Sequence, residues 1–460
     1  MKIICFFCCY CIALTCAGQS ITKKLITAMV RLEADSQFIH ATVAMSVRNT
    51  ATNELLYAHN ATEGVAPAST QKLFTSAAAF ELLGGGYRYS TRIDYGYPAD
   101  SIQAGALRIQ PSGDPSFGSD RFAGTKPGKI ISAIVKGLQQ QQLNPAAVQT
   151  VVLPLFSDAI PGGWVWEDIG NYYGAGAFSA NWRENQYDLL LASGSAVGDT
   201  AFISGTLPSY LQQPMESHLQ SAAKGTGDNT IVYLPYGMHP ASISGTIPVN
   251  EKSFAVSASI TDPYNAFARE LAVALHLPAL PSTVLLQPPT ENPRWRYTSV
   301  YSHESPPFDS LNFWFLRKSI NLYGEAFLKT MALQQSGVGS TEKGVALLKD
   351  FWSQRGIDRS ALHLYDGSGL SPQNRVTAEA LVSVLQYAKG RSWYPSFYLA
   401  LPTYNGMKMK SGSINGARAF AGYHKAASGQ TYSFAIIVNN YDGSAGAVVK
   451  KIFLLLDTLK

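Results

Sequence analysis

From Tyr87 to about Pro263 the chain consists of short apolar runs broken by Gly, Pro, Ser and Thr: "YRYSTRIDYGY", "ALRIQPSG", "NTIVYLP", "SISGTIPVN" and "SFAVSASI". Runs of this kind predict a β-rich tract. Before it, Leu73, Phe74, Ala77, Phe80 and Leu83 recur with helical spacing, and Gly84 to Gly86 stop that helix. After it, "PYNAFARELAVALHL" restores the helical period. The pattern therefore predicts a mixed α/β (α+β) chain interrupted by a large β-rich insertion. Its expected divisions are a leader over 1–18, a first part over 19–86, the insertion over 87–263 and a second part over 264–460. With 460 residues, 46% of them hydrophobic, the chain can bury the cores of two or three domains. No internal repeat or low-complexity linker interrupts it.

The start, "MKIICFFCCYCIALTCAGQS", has one lysine, an apolar run and small residues near Gly18, and reads as a secretory signal peptide. A lipoprotein signal ending at Cys16 is the alternative. All five cysteines lie in this segment, so cleavage near Gly18 leaves a mature chain without disulfides, thiol catalysis or cysteine–metal sites. No second long apolar run follows, so no integral membrane anchor is expected after cleavage. A net charge of +5 without a basic run gives no reason to expect nucleic acid as a partner. "GTKPGKI" is one residue short of a phosphate-binding loop, and in "HESPP" Pro307 occupies the place of a second zinc-binding histidine. Neither a cofactor nor a metal is expected.

Ser69 and Lys72 stand at the head of the helical run that follows Pro67. Three residues apart on a helix, they share a face and would set a nucleophile beside a base. Ser20/Lys23, Ser221/Lys224 and Ser340/Lys343 have the same spacing, but only Ser69 follows a proline and opens an apolar helix. A second piece, Ser319-Ile320-Asn321, lies in the helical context "LNFWFLRKSINLYGEAFLKTM". Ser179/Asn181, Ser310/Asn312 and Ser413/Asn415 share that spacing. The third piece, Lys410-Ser411-Gly412, is the only Lys-[Ser/Thr]-Gly in the chain and lies in a stretch that reads as strands joined by tight turns. Glycine there would let a substrate backbone lie along the strand, and the lysine and hydroxyl could hold a carboxylate.

Taken in order, these three pieces form the signature of penicillin-binding proteins and β-lactamases. Ser319 lies 250 positions after Ser69, so a domain-sized insertion separates the first two. The chain resembles the class C low-molecular-mass penicillin-binding proteins, the D-alanyl-D-alanine carboxypeptidase/endopeptidase family. "PASTQKLFTSAAAFELLG", "SGDPSFGSDRF", "PGGWVWEDIGNYYGAGAFSANWREN", "YDGSGLSPQNRVTA" and "KSGSINGARAFAGY" carry the likeness. It implies a serine β-lactamase/transpeptidase-like catalytic domain, peptidoglycan stem peptides as substrates, β-lactam antibiotics as inhibitors, and an exported enzyme of the periplasm or cell envelope. Ser69 would attack the carbonyl of the penultimate D-alanine and Lys72 would take its proton. Ser319 would relay a proton to the leaving amine while Asn321 orients Lys72 and the substrate amide. The N–H groups of Ser69 and Ser413 would form the oxyanion hole, and Lys410 and Ser411 would bind the terminal carboxylate beside Gly412. Two departures stand out: Ser411 replaces the commoner threonine, and Pro372 follows "GLS" where a basic residue is frequent.

The resemblance also implies that the tryptophan-rich stretch reaches over the active site. There Asp168 would meet the free amino group of the stem's diaminopimelate, with Glu167 as near competitor and Tyr173 as a wall of the pocket. A β-lactamase is the nearest enzymatic rival, but no Glu-x-x-Leu-Asn stretch appears. A penicillin-binding sensor with little peptidase turnover is the rival of another class.

Overall fold

The computed structural model describes residues 21–212, 214–285 and 294–460. The expected signal peptide, Cys16 and Ser20 lie outside the described residues. Two compact units emerge: Met1–Leu82 with Asn312–Ser319 and Val345–Lys460, and Leu83–Leu311 with Ile320–Gly344.

The first unit is built on a six-stranded antiparallel sheet. Its order is Thr403–Tyr404, Met407–Ile414, Ala417–Lys425, Thr431–Asn439, Thr42–Asn49, Leu55–His59. Thr42–Asn49 and Leu55–His59 form a hairpin at one edge. In Thr42–Asn49, Val43, Met45 and Val47 join a core with Phe434, Ile436 and Val438. Their two-residue period leaves Ala44 and Ser46, both fully buried, on the opposite face. Burial on both faces requires helices on both sides. The helix over 21–33 supplies Leu25 and Met29 to the first face, together with Val448, Ile452 and Leu455 of Ala445–Leu456. On the other face Ala378–Lys389 packs across three central strands, and Lys72–Leu82 packs on that helix in turn.

The second unit holds a five-stranded sheet, ordered Thr283–Val284, Thr150–Val152, Ala106–Gln110, Ser90–Pro98, Trp295–Glu304. It also holds a six-stranded one, ordered Phe254–Ser259, Gln186–Ala192, Thr200–Leu207, Met215–Ala222, Ala241–Pro248, Asn229–Tyr233. The β-rich reading of this tract overlooked the helix Pro127–Gln140, whose Ile130, Ile131, Ile134 and Leu138 are buried in the unit's core. This unit also runs past the expected end at 263. The helix Pro263–Leu275 buries Phe267 and Leu271 in the same core, and Trp295–Glu304 pairs along Ser90–Pro98. A helical period says that a face will be buried, not which core will bury it. Among the described residues no helix is long and apolar enough to cross a membrane.

Candidate active site

Ser69 sits in the short turn Ala68–Gln71 that leads into the helix Lys72–Leu82. Ala68 adopts φ 46°, a left-handed conformation that swings the chain out of line just before the serine. Surrounding bonds hold this strained turn. Thr70 Oγ1 donates to Pro67 O at 2.7 Å. Gln71 Nε2 donates to the backbone and side-chain oxygens of Asp366 at 2.7 and 3.0 Å, and Thr75 Oγ1 donates to Gly367 O at 2.6 Å. Asp366, fully buried, also accepts from the N–H groups of Gly369 and Ser371 and from Asn374. Gly369 (φ +81°) lies so close to the turn that a Cβ would stand 2.1 Å from Ala68 O. Asp366 is thus the hub that fastens the loop 366–371 to the serine turn. Sequence reasoning gave it no role, because the partner that ties it to the serine turn, the Gln71 side chain, is distant in sequence.

Lys72 is fully buried, and its Nζ lies 2.9 Å from Ser69 Oγ and 2.7 Å from Ser368 O. Across the same unit, Lys410 Nζ donates to Ser319 Oγ at 2.9 Å and to Ser411 O at 2.8 Å. Burial pushes the Lys410 amine well below its usual range, and the charge of Lys72 pushes it in the same direction. Ser319 is held at φ 59°. On the strand Met407–Ile414, Gly412 meets the serine turn edge-on: a Cβ there would stand 2.5 Å from Pro67 O and 3.1 Å from Ser69 N. Ser411 is half-buried and Ser413 exposed, two residues apart on the strand and so on one face. The first unit therefore brings together Ser69, Lys72, Ser319, Lys410, Ser411, Gly412 and Ser413.

Asn321, Asp168 and Tyr173 belong to the second unit. Asn321 opens the helix Asn321–Ser336 and donates to Tyr173 O at 2.7 Å. Asp168 lies half-buried on the turn Trp166–Ile169, and among the described residues no donor reaches its carboxylate. Burial first, and then the neighbouring Glu167 charge, raise its pKa to about 6. Tyr173 is raised too, by burial first and by Asp168 next.

Two turns beyond Asn321, the fully buried Lys329 uses its three donors on Asp158 O, Ala159 O and Ala177 O, at 2.6, 3.1 and 3.0 Å. These carbonyls lie at the two ends of the segment carrying Asp168 and Tyr173, so one ammonium ties its base shut. Lys329→Met keeps the volume but strands the carbonyls, and is expected to destabilise the protein by about 3 kcal/mol in urea unfolding. An unchanged midpoint would show that the cradle contributes nothing.

Three of the other serines with matching spacing make ordinary local bonds. Ser221 Oγ accepts from Gly194 N and Ser340 Oγ from Lys343 N, while Ser179 Oγ accepts from the N–H groups of Leu155 and Phe156.

The sequence matches the D-Ala-D-Ala carboxypeptidase 3 (S13) family over residues 26–406, most of the chain. The chain belongs to that family. It is 24% identical to the D-alanyl-D-alanine carboxypeptidase of Actinomadura sp. (strain R39) over 88% of this chain and 79% of that protein. It is 23% identical to the D-alanyl-D-alanine carboxypeptidase DacB of Haemophilus influenzae, over 87% of this chain and 85% of the relative. Its fold is similar to the crystal structure of penicillin binding protein 4 (dacB) from Haemophilus influenzae, with a TM-score of 0.73 at 20% identity, covering 96% of this chain and 99% of that one. This S13 member is a serine D,D-carboxypeptidase/endopeptidase that acts on peptidoglycan through an acyl-enzyme, with β-lactams as its covalent inhibitors. Its substrate lies outside the cytoplasmic membrane, so the protein is an exported enzyme.

Proposed function

We propose that Ser69 is the acylated residue and Lys72 its base. Ser69 Oγ attacks the carbonyl of the penultimate D-alanine and its proton passes to Lys72. The bond to the terminal residue breaks as Ser319 relays a proton to the leaving amine, and water then hydrolyses the ester and frees the serine. Lys410 and Ser411 hold the terminal carboxylate, the N–H groups of Ser69 and Ser413 stabilise the oxyanion, and Asn321 holds the substrate amide. The observation that carries this reading is the pair of lysine–serine contacts, each 2.9 Å, in one unit. The charge of Lys72 opposes a second charge on Lys410. Release of D-alanine from a diacylated tripeptide ending in D-Ala-D-Ala tests it. Acylation by penicillin without that release would mark a sensor instead. The working compartment in this reading is the periplasm or cell envelope.

We assign the stem's side-chain amine to Asp168, with Tyr173 as a wall of its pocket. A half-buried carboxylate beside aromatic rings gains more from an ammonium than one in open water. Asp168→Asn is expected to slow hydrolysis of peptides with a free side-chain amine about tenfold while penicillin acylation stays intact. The preference for such peptides also follows Asp168 ionisation. It is full well above pH 6 and fades as pH falls through about 6, where the carboxyl becomes neutral. Equal loss of both activities in the variant would make Asp168 structural.

A further inference from the structure

The turn that carries Asp168 begins with Trp166, whose ring is 48% exposed. It does not stand alone. The Tyr233 ring lies 5.0 Å from it at 42°, and the Tyr236 ring 6.2 Å from it at 61°. Tyr236 is 75% exposed and Met238, beyond it, is completely exposed. The tip that presents them is closed by paired backbone bonds between Tyr236 and His239, with Gly237 in a left-handed conformation that the reversal requires.

These rings are held in place by the backbone beneath them. Asn171 Oδ1 accepts from Val232 N at 3.0 Å, while its Nδ2 donates to Glu167 O at 2.7 Å, so one side chain joins the Trp166 turn to the Tyr233 strand. Gly170 packs so closely that a Cβ would stand 2.0 Å from Val232 O. Ser259 Oγ donates to Ile169 O at 2.6 Å from a third segment. Solvent-facing rings on so fixed a base form a preorganised binding surface.

We propose that Trp166, Tyr233 and Tyr236 form a platform for the glycan strand of peptidoglycan, a neutral N-acetylated sugar polymer. The inference deepens the peptidase reading above and rests on it, since it supplies a hold on the polymer that bears the stem peptide. A pyranose ring has an apolar face of C–H bonds carrying slight positive charge, which suits the negative face of an aromatic ring. Its rim of hydroxyl groups needs acceptors. Glu167 is exposed beside Trp166, and Asp228, also exposed, lies close enough to Tyr173 to raise that phenol's pKa along with Asp168 and Glu167. Aromatic faces bordered by carboxylates fit a neutral sugar. The same carboxylates would repel an anionic lipid surface. A second protein copy fits less well, because a few partly exposed side chains offer only a few hundred Å², against roughly 800 Å² per partner in a stable interface.

The test uses the full chain and bare strands of an uncharged N-acetylated sugar, chitin particles, because sacculi stripped of stem peptides would expose the lactyl carboxylate of every muramic unit. Wild-type protein is expected to co-sediment with them, and Tyr236→Ala combined with Trp166→Ala to lose about tenfold or more in affinity, two ring contacts being removed. D-Alanine release from a small soluble peptide and the melting temperature should stay within about twofold and a few degrees of wild type. Failure of the wild type to bind bare strands, or unchanged binding by the variant, would overturn the platform. So would a folded variant that loses soluble-peptide turnover to the same extent, because the rings would then serve the stem peptide. Capture of the wild type by anionic phospholipid vesicles but not by glycan would overturn it in favour of a membrane. If the wild type binds glycan but releases no D-alanine, the platform stands and the peptidase reading falls.

Discussion

Ser69→Ala is expected to abolish covalent labelling by a fluorescent penicillin and all release of D-alanine, while thermal unfolding moves by only a degree or two. The loss is complete because the acyl bond has no other oxygen to form on. The small change in stability follows from how the turn is built. Thr70, Gln71, Thr75 and Gly369 hold it through bonds and packing that do not involve the hydroxyl. Lys72 keeps its bond to Ser368 O when the serine oxygen goes. One half-buried hydrogen bond contributes about 1 kcal/mol, a minor shift for a chain of this size. Ser221→Ala and Ser340→Ala should label normally, since those oxygens cap backbone N–H groups. Gel fluorescence with parallel melting curves decides the matter, and labelling that persisted in Ser69→Ala would move the nucleophile elsewhere.

Lys410→Met is expected to lower kcat/KM by about a hundredfold on peptides ending in a free carboxylate, and far less on the corresponding amides. Lys410 is almost wholly buried, so methionine can fill its space and the fold should survive. What disappears is a charge-assisted bond to the carboxylate, about 1.5–3 kcal/mol, together with the donor that positions Ser319 Oγ. The measurement compares paired free-acid and amide substrates in wild type and variant. Equal wild-type rates on the two substrates would rule out a carboxylate anchor at Lys410.

Much of the first unit could be read directly. Ser69 and Lys72 are separated by one helical turn and Lys410 and Gly412 by one strand period, but the Ser-x-x-Lys spacing recurs at three other places, and only the proline and apolar helix beside Ser69 set it apart. The helix Pro127–Gln140 has a proline in its first turn and Ile130, Ile134 and Leu138 on one face, a helical signal embedded in a tract otherwise rich in strands. Other features gave no local signal. Trp295–Glu304 is an edge strand with only His303 buried, so it shows no apolar alternation. Lys329 binds backbone carbonyls that residues of any type could supply, and Asp366 meets Gln71 across a long stretch of sequence, so neither leaves a local trace.

The strand Thr42–Asn49 is paired along its whole length with Thr431–Asn439, far along the sequence. A polypeptide made and threaded across a membrane from its N-terminus delivers Ser69 and Lys72 early. The contiguous stretch Leu83–Leu311 can begin to pack as soon as it emerges. The sheet beside Ser69 must wait for its central strand, the Asp366 loop and Gly412, all of which come late. Contacts so distant along the chain are slow to close. Ser69 and Lys72 therefore emerge well before the strands, loop and glycine that frame them, and the surroundings of the pair are assembled only when those later segments arrive.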